Sequence, residues 1–241
     1  RLASPAGADA PRRRPRTPRM DPARSRPRAA RTARLAEFVA LFVAAPVAVA
    51  VALPPDAMFA GLFALTLVGL GLLHSTAGFR WAELTGGWRR IRWDVTAAFT
   101  LVTAAVALAV AWATAPAALF EPARSNPALM AAIVLLYPWV SALPQEIVFR
   151  PLFFRRYGAL LPAGTWPQIA VNAAVFSLAH LMYWSWIVAA MTFCGGLAFA
   201  WAYRAAGSFA MAVVLHSIAG WIVFGAGLGV HFYSGYVTRP F

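Results

Sequence analysis

The chain has 241 residues, 61% of them hydrophobic, a formal net charge of +13 and a single cysteine. Soluble domains hold about 45–50% apolar residues, so the excess excludes an ordinary globular enzyme, and one cysteine excludes a disulfide framework or a cysteine-based metal cluster. The charge is local: every basic residue is Arg, and 11 of the 21 fall in residues 1–34.

Residues 1–33 read as a disordered Arg/Pro-rich tail, because Pro, Arg and Ala alone bury no core. Positive charge before a first span sets topology, so this tail is expected to act as a topogenic signal and not as a nucleic-acid arm. Met20, close before the first apolar run, is a candidate for the true start. Residues 34–241 are then one transmembrane helical domain. Leu35–Leu53 is the first predicted span, ended by Pro54-Pro55-Asp56. It carries no small-residue cleavage motif and reads as an anchor. Ala57–Leu73 is the second. The loop His74–Asp94 mixes Arg80, Arg89, Arg90 and Arg92 with Trp81, Trp88 and Trp93, the pairing found at membrane interfaces. Val95–Ala115 is the third span, stopped by Pro116.

Ala128–Tyr157 forms the fourth segment, about 45 Å long if helical against a ~30 Å hydrocarbon core. Pro138, Pro144 and Pro151 are expected to kink or interrupt it. Trp166–Tyr183, Trp186–Tyr203 and Ser208–Leu228 complete the count, with a short aromatic tail holding His231, Tyr233 and Tyr236. The fold class is therefore an all-α polytopic membrane protein of about seven transmembrane helices. Cys194 reads as a packing residue. The Arg distribution places the N-terminus in the cytoplasm, and the Lys-free, Ala- and Arg-rich composition hints at a bacterial inner membrane. The expected partners are the lipid bilayer and a membrane protein or peptide substrate, with no nucleic acid. No internal repeat points to a transporter.

Chemistry concentrates in the last four spans. Glu146 is the acid placed inside an apolar run, and Arg150, four residues on, shares its helix face. An ionisable group at the bilayer centre costs about 2.5–3.5 kcal/mol on insertion scales and reads as functional by default. His180 and His216 stand on neighbouring segments. At 1.5 Å per residue, Glu146, His180 and His216 all fall within about 6 Å of the midplane. Singly, each has a plain reading: a membrane His is often an interhelical hydrogen bond worth about 1 kcal/mol, and Asn172 reads as a packing polar residue. Together they are read as a pocket around one water. His180, His216 and Glu146 would make a three-ligand set for catalytic zinc, although no tightly bound metal is expected. Bis-histidine haem ligation is a further class.

Gln-Glu-Ile-Val-Phe-Arg at 145–150, Phe-Ser-Leu-Ala-His at 176–180 and His-Ser-Ile-Ala-Gly at 216–220 resemble the three motifs of the CPBP intramembrane endopeptidases. That group includes the type II CAAX prenyl endopeptidases and the bacterial abortive-infection membrane proteins. The family patterns are Glu-Glu-x-x-x-Arg, Phe-x-x-x-His and His-x-x-x-Asn, so the chain departs at Gln145 and Gly220. The resemblance spans about Ala128 to Leu228, and it implies a catalytic bundle in the last four helices and hydrolysis of a membrane peptide. In the family the first Glu is taken as the base that activates water, and Gln145 has no such basicity. The implied roles are therefore Glu146 as base with His180 holding the water. His216, with Arg150, is then the oxyanion stabiliser. The alternative is a CPBP-like pseudoprotease that binds a membrane partner without cutting it.

Overall fold

The computed structural model describes residues 22–233, 235, 237, 239 and 240. Residues 1–21, with Met20, and the tail position Tyr236 lie outside them. The described residues are helical throughout their ordered elements, with no strand. The chain runs α1 (Pro22–Val39), α2 (Ala45–Ala52), α3 (Met58–His74), α4 (Ala82–Thr85), α5 (Trp93–Thr114), α6 (Glu121–Ser125) and α7 (Pro127–Tyr137). It continues through α8 (Leu143–Ile147), α9 (Thr165–Leu178), α10 (Trp186–Arg204), α11 (Phe209–Gly225) and α12 (Gly229–Phe232). Helix α1 begins inside the stretch read as tail, where Ala and Arg are both strong helix formers.

Among the described residues, four helical stretches are long and apolar enough to cross a bilayer: Ala30–Ala52, Trp93–Thr114, Pro127–Arg156 and Trp186–Arg204. Phe59–His74 and Phe209–Gly225 are shorter apolar helices packed beside them. Large apolar side chains point outward along these elements, Trp186 at 78% exposure and Trp112 at 73%, as a lipid-facing surface requires. Cys194 also faces outward on α10, not into a packed interface.

The prolines act without breaking the chain. Wide, π-helical turns at Ala40–Ala44, Pro138–Ala142 and Val148–Arg156 each hold or closely precede a proline: Pro46, Pro138 with Pro144, and Pro151. Proline lacks an N–H and crowds the preceding turn, and an inserted residue in that turn relieves the clash while the helix carries on. Pro127–Arg156 is thus one continuous but irregular helix. Helix starts are ordinary by comparison. Asn126, Ser185 and Ser208 accept from the backbone N–H groups of Leu129, Val188 and Met211, which satisfies donors the first turn leaves open.

The expected fifth span is shorter than the sequence reading gave. Helix α9 stops at Leu178, and His180, Leu181–Tyr183 and the left-handed Trp184 form a tight break before α10. Trp184 Nε1 donates to the Ala50 carbonyl at 3.3 Å and ties this break to α2. Helices α9 and α10 approach closely because Gly196 has no Cβ: one built there would meet Ala173 Cα at 3.1 Å and Phe176 Cδ1 at 3.2 Å. Behind them lies an aromatic core in which Phe42, Phe149, Phe153 and Phe176 pack edge to face.

A polar knot ties the exit of the long helix to the first two spans. Arg156 bonds both carboxylate oxygens of Glu37, with Nη2 2.9 Å from Oε2. It also donates to the Leu72 carbonyl at 3.0 Å and to Thr76 Oγ1 at 3.1 Å. Tyr157 OH donates to Glu37 Oε1 at 2.6 Å. Hydrogen bonds to charged groups contribute about 1.5–3 kcal/mol. Arg156→Ala should therefore lower the midpoint of thermal unfolding in detergent, and Glu37→Gln, which keeps a hydrogen-bonding amide, should lower it less. On the opposite side, His231 Nε2 lies 3.1 Å from Thr114 Oγ1, and partial burial holds this imidazole below its ordinary pKa.

Candidate active site

Glu146 lies on α8, immediately after the wide turn that follows Pro138, and is fully buried. Arg150, also fully buried, reaches back along the same face: its Nε donates to Glu146 Oε2 at 2.7 Å and its Nη2 to Oε1 at 3.2 Å. This is a two-pronged pair of the kind that makes arginine the favoured partner of a buried carboxylate. The remaining guanidinium nitrogen, Nη1, donates to Asn172 Oδ1. Asn172 Nδ2 in turn donates to the Phe149 carbonyl at 2.7 Å. Asn172, read from sequence as a packing residue, is thus the third member of the charge cluster, and it locks α9 to the long helix.

Helix α11 closes the other side. His216, 5% exposed, places Nδ1 2.9 Å from Glu146 Oε1. Its ring stacks on Phe199 at 4.8 Å and 8° and meets the edge of Phe176 at 5.6 Å. The Arg150 guanidinium lies 5.1 Å and 5.8 Å from the same two rings, a favourable seat for a buried cation. Both carboxylate oxygens of Glu146 are therefore engaged by protein donors.

His180 sits at the helix break, on the far side of Phe176, whose ring is 4.8 Å from its own. Its Nδ1 lies 2.8 Å from the Phe176 carbonyl. A carbonyl only accepts, so Nδ1 carries the proton. The backbone N–H of His180 has turned to the Ser177 carbonyl, and the imidazole caps the carbonyl so released. That cap fixes the ring and leaves Nε2 with its lone pair. Gln145 is half-buried, and its Nε2 donates to Ser141 Oγ at 3.0 Å. The sequence candidates thus divide. Glu146, Arg150 and His216 make one contiguous cluster, while His180 joins it through Phe176 and Gln145 faces Ser141. Tyr137, with its hydroxyl 3.4 Å from His216 Nε2, was not singled out from sequence.

The zinc ligand set fits poorly. Among the described residues no three His, Cys, Asp or Glu side chains gather as ligands. The Arg150 guanidinium, bonded to both oxygens of Glu146, occupies with positive charge the place a cation would take.

Residues 126–222, from the start of α7 into α11, match the family model described as type II CAAX prenyl endopeptidase Rce1-like. No curated protein and no solved structure matches the chain.

Proposed function

Because residues 126–222 match the type II CAAX prenyl endopeptidase Rce1-like family model, we propose that the chain hydrolyses a peptide bond of a membrane-embedded or membrane-delivered substrate. On this reading an imidazole, not a carboxylate, takes the proton from water. The observation that carries it is the division of labour between two fixed imidazoles either side of Phe176: His180 with a free lone pair at Nε2, His216 bonded to a buried carboxylate.

His180 Nε2 accepts a proton from water as its oxygen attacks the scissile carbonyl carbon. General-base assistance of this kind contributes about 10²–10⁴-fold. Gln145 donates to Ser141 through its amide nitrogen, and its carbonyl oxygen remains to accept from that water and orient it; an amide cannot take the proton itself. The carbonyl oxygen gains the negative charge and is met by His216 Nε2–H. Glu146, which the sequence pattern suggested as the base, acts here as the carboxylate that engages His216 Nδ1 and keeps the ring correctly turned, with Arg150 and Asn172 holding Glu146. Collapse of the tetrahedral intermediate breaks the C–N bond, and the proton on His180 passes to the leaving amine. One carboxylate and one amine result.

Purified protein in vesicles with single-span and lipidated peptides, run in ¹⁸O-water, should give a new amino terminus. One labelled oxygen should enter the new carboxylate. Peptides retained on the protein with no new terminus would overturn hydrolysis in favour of a binding protein of the same fold.

A further inference from the structure

Helix α11 has a notch one turn beyond His216, and a tyrosine fills it. Gly220 is buried, and a Cβ built there would lie 2.1 Å from Tyr137 Cε1, 2.3 Å from Cζ and 2.8 Å from Cδ1. Even alanine is excluded unless the ring leaves. Glycine inside a helix costs about 1 kcal/mol relative to alanine, so the notch is destabilising for α11 by itself. What it admits is the Tyr137 ring, laid edge-on against His216 at 6.0 Å and Phe224 at 5.9 Å. The wide turn Pro138–Ala142 begins at the next residue.

The hydroxyl of that ring ends 3.4 Å from His216 Nε2. An O–H···N bond between two such groups is normally several tenths of an ångström shorter. The pair is therefore close enough to serve one shared oxygen and too far apart to satisfy each other well. The other His216 nitrogen is committed to Glu146. Ser141 Oγ, one turn on, accepts from Gln145 Nε2. At 3.4 Å the Tyr137 proton is not committed to His216.

We propose that Tyr137 O–H and His216 Nε2–H form a paired donor site for one carbonyl-derived oxygen, seated by the absence of a side chain at Gly220. The site takes a peptide carbonyl oxygen as it becomes anionic, and in this it rests on the hydrolase reading. Two donors preset in a water-poor site stabilise developing charge without reorganising. Tyr137 is then a catalytic residue, reaching the reacting oxygen itself.

The decisive variant is Tyr137→Phe, which keeps the ring in the notch and removes only the hydroxyl. Losing one oxyanion donor costs about 10²–10³ in kcat, so kcat should fall by that factor while KM and the unfolding midpoint stay at wild-type values. Affinity for a peptide phosphinate, a tetrahedral mimic, should fall in parallel with kcat. Gly220→Ala should lower both rate and stability by evicting the ring, and the double variant Gly220→Ala/Tyr137→Ala should regain stability without regaining rate. A Tyr137→Phe protein with wild-type kcat and phosphinate affinity overturns the paired donor and leaves hydrolysis standing. A wild-type protein that cuts no peptide overturns both.

Discussion

Arg150→Ala is expected to leave little folded protein in the membrane. Removing one partner of a buried ion pair typically costs about 3–5 kcal/mol, because the other charge stays buried and unpaired. Here the orphan is the Glu146 carboxylate, fully enclosed between α8 and α11. Domain stabilities are about 5–15 kcal/mol, so one truncation removes a large share. The loss would be read as the fraction eluting folded from detergent extracts across a temperature series. Asn172→Ala should cost less, about 1–3 kcal/mol for unsatisfied buried hydrogen-bonding groups, since it strips one bond from Arg150 and one from the Phe149 carbonyl. The pair Glu146→Gln/Arg150→Gln removes both charges and should recover part of the single-variant loss. A double-mutant cycle with no such recovery would mean the two side chains are not coupled as their contacts require.

Much of this arrangement is written in local sequence. The apolar runs and the caps Asn126, Ser185 and Ser208 mark where helices lie and start, and the prolines of the long helix sit at its wide turns. Glu146 and Arg150 announce themselves by charge in an apolar run, and four-residue spacing puts them on one face. Two features are not legible locally. Helix α9 stops at Leu178 within the run Phe-Ser-Leu-Ala-His-Leu-Met-Tyr, which has no glycine or proline to stop it; the stop comes from the His180 ring taking the Phe176 carbonyl and from Trp184 reaching Ala50 on a distant helix. A periodicity argument runs straight through such a break. Tyr137 reads from sequence as one aromatic residue among apolar neighbours, and Gly220 as a missing amide. Only their contact across two helices shows that the space of one is the place of the other. Likewise, burial alone could not say that both oxygens of Glu146 would be taken, the observation behind proposing His180 as the base.

On the proposed reading His180 is the residue on which the chemistry turns. His180→Gln should fold, since an amide can still donate to the Phe176 carbonyl now met by Nδ1. The loss in stability should stay near 1 kcal/mol, the usual net worth of one hydrogen bond. The rate should behave differently. Glutamine has no lone pair basic enough to take a proton from water, so kcat should fall by about 10²–10⁴ with KM nearly unchanged. The pH profile separates a base from a merely structural ring: in the wild type, protonation of His180 Nε2 at low pH must switch the rate off, and in His180→Gln the residual rate should have lost that acid limb. Glu146→Gln should instead lower rate and stability together, because it loosens His216 and strands Arg150. If His180→Gln keeps wild-type turnover while Glu146→Gln abolishes it in protein that is still folded, the proton goes to the carboxylate after all and the imidazole assignment fails.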